Sequence, residues 1–323
     1  MDAIEVTAYG GTETLEVVDR EVPEPDEGEV RVAVEAAGIN YADIMQRRGL
    51  YPGGPEPPYV PGMEVAGTVD ATGPGVGLEE GSTVVAMLEG GGYAEYAIAD
   101  AMTLFPIPEE TTIEEAAAFP VQFLTAHACL FAWGGLEAGE RVLIQAAAGG
   151  VGTAAVQLAA RAGAEVFGTA SKPEKLELAA ELGCDHPINY VEEDFLEVVQ
   201  AETDGEGVDL VLESVGDDVF DRSLDALGHF GRLVTYGVAS GVPSTVSNQR
   251  LLFENKQVLG FHLGQAAARD PSRVMQALPD LTEALATGEA EPIVGETFPL
   301  TAASDAHAHI EERESVGKVL LTP

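Results

Sequence analysis

Between Arg141 and Gly163 the chain passes from an uncharged apolar segment, residues 142–147, through Gly149, Gly150 and Gly152. It then enters an apolar face at helical spacing: Ala154, Ala155, Val156, Leu158 and Ala159. An apolar run, a glycine cluster and a helical period, in that order, read as strand, tight turn and helix. A buried parallel strand feeding a helix N-terminus suits a pyrophosphate, because the first backbone N–H groups and the positive end of the helix dipole face the anion. Glycines let the phosphates approach the backbone and the helix approach the strand. Structural βα turns carry glycines too, so the turn alone leaves a role without ligand open.

The residues beyond the turn narrow the fold. Apolar strand segments at 165–169, 186–190, 208–213, 232–236 and 257–263 alternate with helical stretches at 153–163, 174–183, 193–200, 219–227 and 248–253. That rhythm predicts an α/β unit with a Rossmann-type, doubly wound parallel sheet. Ahead of it lie short alternating segments at 4–9, 14–18, 30–37, 82–88 and 93–98, which predict an irregular, mostly β unit. A short helix is expected from Asn40 or Tyr41 to about Gly49. After Gly264 come an amphipathic helix at 271–287, a helix start near 299–308 and a last strand at 316–321. Leftover β structure beyond the α/β segment implies a discontinuous first domain, residues 1–122 and 264–323, around a second at 123–263. A chain of 323 residues, 46% of them hydrophobic, has enough apolar surface for two such cores.

Charge excludes some partners. Asp and Glu number 55 against 16 Lys and Arg, a net charge of −39 spread along the chain. Such a surface argues against nucleic acid and anionic membranes. It repels itself unless salt shortens the Debye length, to about 3 Å at 1 M, so a salt-loving host is expected. No long apolar span suggests a membrane helix, and residues 1–5 lack the pattern of a signal peptide. With Cys129 and Cys184 far apart, a disulfide framework is not expected and a cytoplasmic location is.

The Ala146-Ala-Ala-Gly-Gly-Val-Gly152 turn, inside a chain ordered β, then βα, then β, resembles the medium-chain dehydrogenase/reductase superfamily. The branch it resembles is the zinc-free quinone oxidoreductases, the zeta-crystallin-like proteins. Gly38-Ile39-Asn40-Tyr41-Ala42-Asp43, Arg48-Gly49-Leu50-Tyr51-Pro52, Pro61-Gly62-Met63-Glu64, Gly92-Tyr93-Ala94-Glu95-Tyr96, Thr125-Ala126, Asp185–Tyr190 and Gly317-Lys318-Val319 fall in the family's order. The resemblance implies a GroES-like catalytic domain beside the nucleotide-binding one, and a homodimer joined near 257–263.

Zinc can be weighed on the residues. A catalytic zinc needs three Cys, His or carboxylate ligands. Where zinc alcohol dehydrogenases keep a cysteine and a Gly-His-Glu, this chain has Asn40 and Met63, so no metal is expected. His307 and His309 are spaced for a strand face and are expected to be a surface pair. Counting about 20 residues from Gly149, where an NAD site keeps an acidic residue, leads to Gly168-Thr169-Ala170-Ser171-Lys172 with no carboxylate before Glu174. Ser171 and Lys175 instead suit a 2′-phosphate, and by resemblance Tyr190 packs there, so the expected cofactor is NADPH.

The resemblance also implies cofactor contacts at Gly149, Gly150, Val151, Gly152, Tyr236, Gly237, Phe261, His262 and Leu263. Asn40, Tyr51 and Thr125 become the candidates that touch the acceptor or the nicotinamide, Thr125 by opening a helix. Each has a plainer reading: Asn40 and Thr125 as helix caps, Tyr51 as a packing residue. Three functions are compatible with these residues. The first is NADPH-dependent reduction of a quinone. The second is reduction of an enone or enoyl thioester, with Tyr51 or Tyr41 giving the proton. The third is NADPH binding without significant turnover, as in lens crystallins of the family.

Overall fold

The computed structural model describes residues 1–105 and 111–323. Residues 106–110, inside the first expected domain span, lie outside the described residues. The chain divides into two units, Met1–Val121 with Pro292–Pro323, and Gln122–Glu291.

The first unit opens with β1 (Asp2–Val6), β2 (Leu15–Asp19), β3 (Glu29–Gly38), α1 (Tyr41–Arg47), β4 (Glu64–Thr72), β5 (Thr83–Met87), β6 (Tyr96–Asp100), β7 (Leu104–Phe105) and α2 (Ile113–Ala117). β3 organises it. Val30, Val32 and Val34 alternate inward, and the strand pairs antiparallel with both β4 and β6. Their side chains join Ile4, Val6, Val65 and Val69 in one apolar core.

The second unit is contiguous: α3 (Pro120–His127) carries the chain into it, and after it come β8 (Arg141–Ile144), α4 (Gly150–Arg161), β9 (Glu165–Ala170), α5 (Pro173–Glu181), β10 (His186–Asn189), α6 (Phe195–Glu202), β11 (Val208–Glu213), α7 (Asp217–Ala226), β12 (Leu227–Thr235), α8 (Asn248–Glu254), β13 (Gln257–Gly260), α9 (Leu263–Arg269), α10 (Pro271–Met275) and α11 (Leu278–Thr287). The six strands run parallel in the order β10-β9-β8-β11-β12-β13. The order reverses at β8, which makes its carboxyl end the switch point where such sheets bind ligands. Val142, Leu143 and Ile144 are wholly buried, as a strand covered by helices on both faces must be. This is the doubly wound sheet expected from the alternation of strands and helices.

The first unit is completed by β14 (Val294–Pro299), α12 (Ala303–Glu311) and β15 (Lys318–Thr322), with β15 inserted between β14 and β3. The return to this unit thus comes at Pro292, not at the expected Gly264. The reason is side-chain anchoring: Arg161 binds Asp280 and Glu289, Gln157 binds the Glu291 backbone, and Arg273 lies over the Trp133 ring. The expected single helix at 271–287 is two helices, with Pro279 in the first turn of the second.

His307 and His309 are not on a strand face. They lie on α12, where Ala303, Ala306, His307 and Ile310 keep the i, i+3, i+4, i+7 spacing of a helix packed on a core. Thr125 does not open a helix either: α3 starts at Pro120, and Thr125 is buried within it, which rules out a cap.

Candidate active site

In the second unit the turn after β8 is built for close backbone approach. Ala146 has φ 56°, and Gly149 is the N-cap of α4 with no side chain to bond the first N–H groups. A Cβ on Gly152 would stand 2.1 Å from the Ala146 carbonyl oxygen, so only glycine lets α4 rest on the turn. Gly150 faces Gln122, whose Oε1 would lie 2.8 Å from an added Cβ. The turn is pinned from behind: Ala147 N donates to Thr169 O, Ala146 N to Thr169 Oγ1, Thr169 Oγ1 to Gln145 Oε1 and Gln145 Nε2 to Ser223 Oγ. The N-terminus of α4, with Val151 in its first turn, is thereby held in place with no side chain capping it.

The carboxyl ends of β9 and β10 come together beside it. Tyr190 N donates to Ala170 O, which brings the half-exposed Tyr190 next to the start of the Ser171–Lys172 turn. Lys175, one turn into α5, is buried rather than spread on the surface. Ser171, Lys175 and Tyr190 are thus gathered at one sheet end, while Glu174 faces solvent.

Further along the same edge, the buried carboxylate of Glu213 accepts from Val215 N at 2.6 Å and Gly216 N at 2.7 Å. Burial still pushes its pKa up. The turn it folds bonds the next strand end: Tyr236 N donates to Glu213 O, and a Cβ on Gly237 would stand 3.0 Å from Ser214 O. Burial also raises the Tyr236 phenol, against a hydrogen bond with Ser214. Phe261 continues from β13 by bonding Thr235 O and packs edge-on against Trp133 at 4.8 Å. His262 caps α9, its Nδ1 accepting from Gln265 N, and Leu263 begins that helix. Glu213 is a fold-bearing residue that sequence reasoning missed; the signal was a carboxylate directly after the apolar run Leu210-Val211-Leu212.

The first unit holds a second polar assembly. Asn40 is the N-cap of α1, and its side chain also bonds residues outside the helix. Its Nδ2 donates to Glu64 Oε1 at 2.9 Å, and its Oδ1 accepts from Lys318 Nζ at 2.8 Å. Lys318 also donates to Glu64 Oε1, and Val121 N donates to Glu64 Oε2. Glu64 and Lys318 are buried in full. Gly38 makes room, since a Cβ there would lie 2.6 Å from Lys318 Cε and 2.8 Å from Glu64 Cγ.

Behind this pair, Asp43 Oδ2 accepts from Asn40 N at 2.8 Å and from the Tyr93 hydroxyl at 3.1 Å. Tyr93 Oη in turn meets His307 Nε2 at 3.2 Å. Burial pushes the Asp43 carboxyl up to about 6, against the Asn40 N–H and Lys318, and lowers His307 to about 3. Tyr51, half-buried in the loop after α1, has its phenol raised by burial and then by the charge of Asp43. Asn40 and Tyr51 thus belong to one unit, and Thr125 and the expected cofactor residues to the other. Lys318, Asp43 and Tyr93 were visible only as parts of family motifs, without roles.

Residues 26–109 match the model of the alcohol dehydrogenase GroES-like domain, and residues 150–283 match that of the zinc-binding dehydrogenases. The human synaptic vesicle membrane protein VAT-1 homolog is 35% identical over 98% of this chain and 85% of its own length. The 2-haloacrylate reductase of a Burkholderia species is 34% identical over 97% of this chain and 96% of its own. Among solved structures, Escherichia coli quinone oxidoreductase complexed with NADPH superposes with a TM-score of 0.93 at 33% identity, covering 100% of both chains.

Proposed function

The chain belongs to the medium-chain dehydrogenase/reductase superfamily, and from that premise we propose that it is an NADPH-dependent, zinc-independent oxidoreductase that passes a hydride to a quinone. The observation that carries this reading is the pairing of buried Glu64 with the Lys318 ammonium. A zinc alcohol dehydrogenase needs open Cys, His or carboxylate ligands in this neighbourhood. Here Glu64 and Asn40 are bound to one another and to an ammonium, and Met63 stands beside them in the chain. That donor set does not fit zinc.

When bound, NADPH supplies the hydride from its nicotinamide ring. The glycine turn fits its pyrophosphate, because Gly149 has no side chain to cover the first N–H groups of α4 and Gly152 lets the helix start rest on the turn. Ser171, Lys175 and Tyr190 hold the 2′-phosphate. Tyr236, Gly237, Phe261, His262 and Leu263 line the rest of the cofactor site, with Thr125 against the nicotinamide. Asn40 is a rigid polar wall for the acceptor, and Tyr51 keeps its proton for the reduced product. The Escherichia coli NADPH complex supports the cofactor, and the lack of a carboxylate among residues 168–173 supports the phosphate. Lys175→Glu is expected to lower kcat/KM for NADPH about tenfold to a hundredfold, the loss of one charge-assisted hydrogen bond, and to leave NADH nearly unaffected. An unchanged NADPH preference would sink the phosphate assignment.

The test of the function is an assay with NADPH and a panel of quinones and enones. Turnover of quinones alone supports the reading. Turnover of enones or enoyl thioesters supports a reductase of activated double bonds, the reading favoured by the 2-haloacrylate reductase relative. Tight NADPH binding with no turnover of either class makes the protein a binding module.

The reading includes a cytoplasmic homodimer meeting along the sheet edge at 257–263 in a salt-rich host. β13 is an edge strand, Leu252 and Phe253 just before it are exposed, and the net charge is −39. No helix among the described residues is long and apolar enough to cross a membrane. Sedimentation and melting from low to molar KCl are expected to show a dimer whose Tm climbs with salt. A monomer would remove the interface, and a Tm that falls with salt would remove the salt-adapted reading.

A further inference from the structure

Hydride transfer leaves the acceptor one proton short, and the first unit contains a buried carboxyl suited to supply it. Asp43 has no exposed surface. Its Oδ2 is saturated by Asn40 N and Tyr93 Oη, whereas Oδ1 has no partner. Two buried cations stand near and neither bonds Asp43. Arg47, one helical turn on, gives its Nη2 to both oxygens of Glu311, and Lys318 is bound to Glu64 and Asn40. Among the described residues Asp43 therefore has no ion pair, and a buried carboxyl without one favours its protonated form.

The surroundings suit proton traffic. Burial raises the phenols of Tyr51, Tyr59 and Tyr93, and the charge of Asp43 raises each further. The groups acting on Asp43 itself are Asn40 N–H on the loop before α1, Lys318 on β15, Glu64 on β4 and Tyr93 before β6, with His307 of α12 behind Tyr93. Because Tyr93 donates its one hydroxyl proton to Asp43, His307 must donate from Nε2, and its Nδ1 is left as an acceptor. Arg47 Nε and Nη1, Tyr59 Oη and His307 Nδ1 are likewise buried without partners.

We propose that Asp43 is the proton reservoir of the active site, reloading the Tyr51 phenol from Oδ1 after Tyr51 has protonated the reduced acceptor. This rests on the oxidoreductase reading above. Hydride transfer oxidises NADPH and leaves an electron pair on the acceptor oxygen, or on Cα of an enone. The Tyr51 O–H bond breaks as the new O–H or C–H bond forms. The Asp43 Oδ1–H bond then breaks as the Tyr51 O–H re-forms, and the carboxylate is reprotonated from solvent.

The test is the pH profile of kcat under saturating NADPH, with NADPH binding measured separately. In the unaltered protein kcat falls as the pH rises through the Asp43 ionisation. Asp43→Asn keeps an acceptor for Asn40 N and Tyr93, and is expected to lower kcat roughly tenfold or more, erase that limb and leave NADPH binding unchanged. Tyr93→Phe removes a hydrogen bond that holds the carboxyl down, and is expected to move the limb to higher pH even if Asp43→Asn fails to fold. A pH limb unmoved in either folded variant overturns the reservoir. If the unaltered protein reduces no quinone or enone, the oxidoreductase reading itself fails, an outcome distinct from active protein with indifferent variants.

Discussion

Lys318→Met is expected to cost the fold about 3–5 kcal/mol, the penalty of stranding one partner of a buried ion pair. Methionine matches the length of the lysine stem and fills its volume, so packing loss is small. What remains is the Glu64 carboxylate, wholly buried, which accepts from Asn40 Nδ2 and Val121 N but has lost its neutralising ammonium. Asn40 loses its second anchor at the same time. The measurement is chemical denaturation of Lys318→Met, Glu64→Gln and the double variant. The double variant is expected to recover most of the loss, because two neutral side chains leave no stranded charge. Additive losses would show that the pair matters through packing and not through charge.

Gly152→Ala is expected to abolish tight NADPH binding and to destabilise the second unit by about 1–3 kcal/mol or more, the range for overpacking a tight site. Its Cβ would be 2.1 Å from the Ala146 carbonyl oxygen and 2.8 Å from Ala147 Cα, and backbone cannot swing aside as a side chain can. Relief requires lifting the start of α4 off β8, which moves the N–H groups that face the pyrophosphate. Gly149→Ala is the contrast. Its nearest neighbour would lie at 3.3 Å, and its φ of −83° suits any residue, so the fold is expected to survive. Equal loss of NADPH affinity and of Tm in the two variants would overturn this account of the turn.

The parallel sheet was legible because each strand and helix declares itself locally, by an apolar run or a helical period. The glycine turn was legible for the same reason. Three things were not. The helices at 263–287 carry an ordinary amphipathic pattern, and only Arg161, Gln157 and the Arg273–Trp133 stack decide which unit they join. The two histidines of α12 fit a strand's alternation as well as a helix, until Ala303 and Ala306 are seen to share the buried face with His307. The polar network of the first unit joins Asp43 to Tyr93 across 50 positions and Tyr93 to His307 across 214. No periodicity spans such distances. A faint trace existed: Asn40 and Asp43 have capping-box spacing, and Lys318 is a basic residue at the start of an apolar strand in a chain with only 16 of them.

The insertion of β15 between β14 and β3 bears on how the chain matures during synthesis. Residues 122–291 are continuous and can complete their sheet while the ribosome is still at work. The first unit is made earlier but finished later, because β3 lacks one neighbour until the last strand emerges. The same strand delivers Lys318, so the buried Glu64 has no neutralising cation until then. Residues 1–121 are therefore made before 122–291 but settle after residues 318–322 are made, and until then the sheet keeps an open edge and Glu64 an unmatched negative charge.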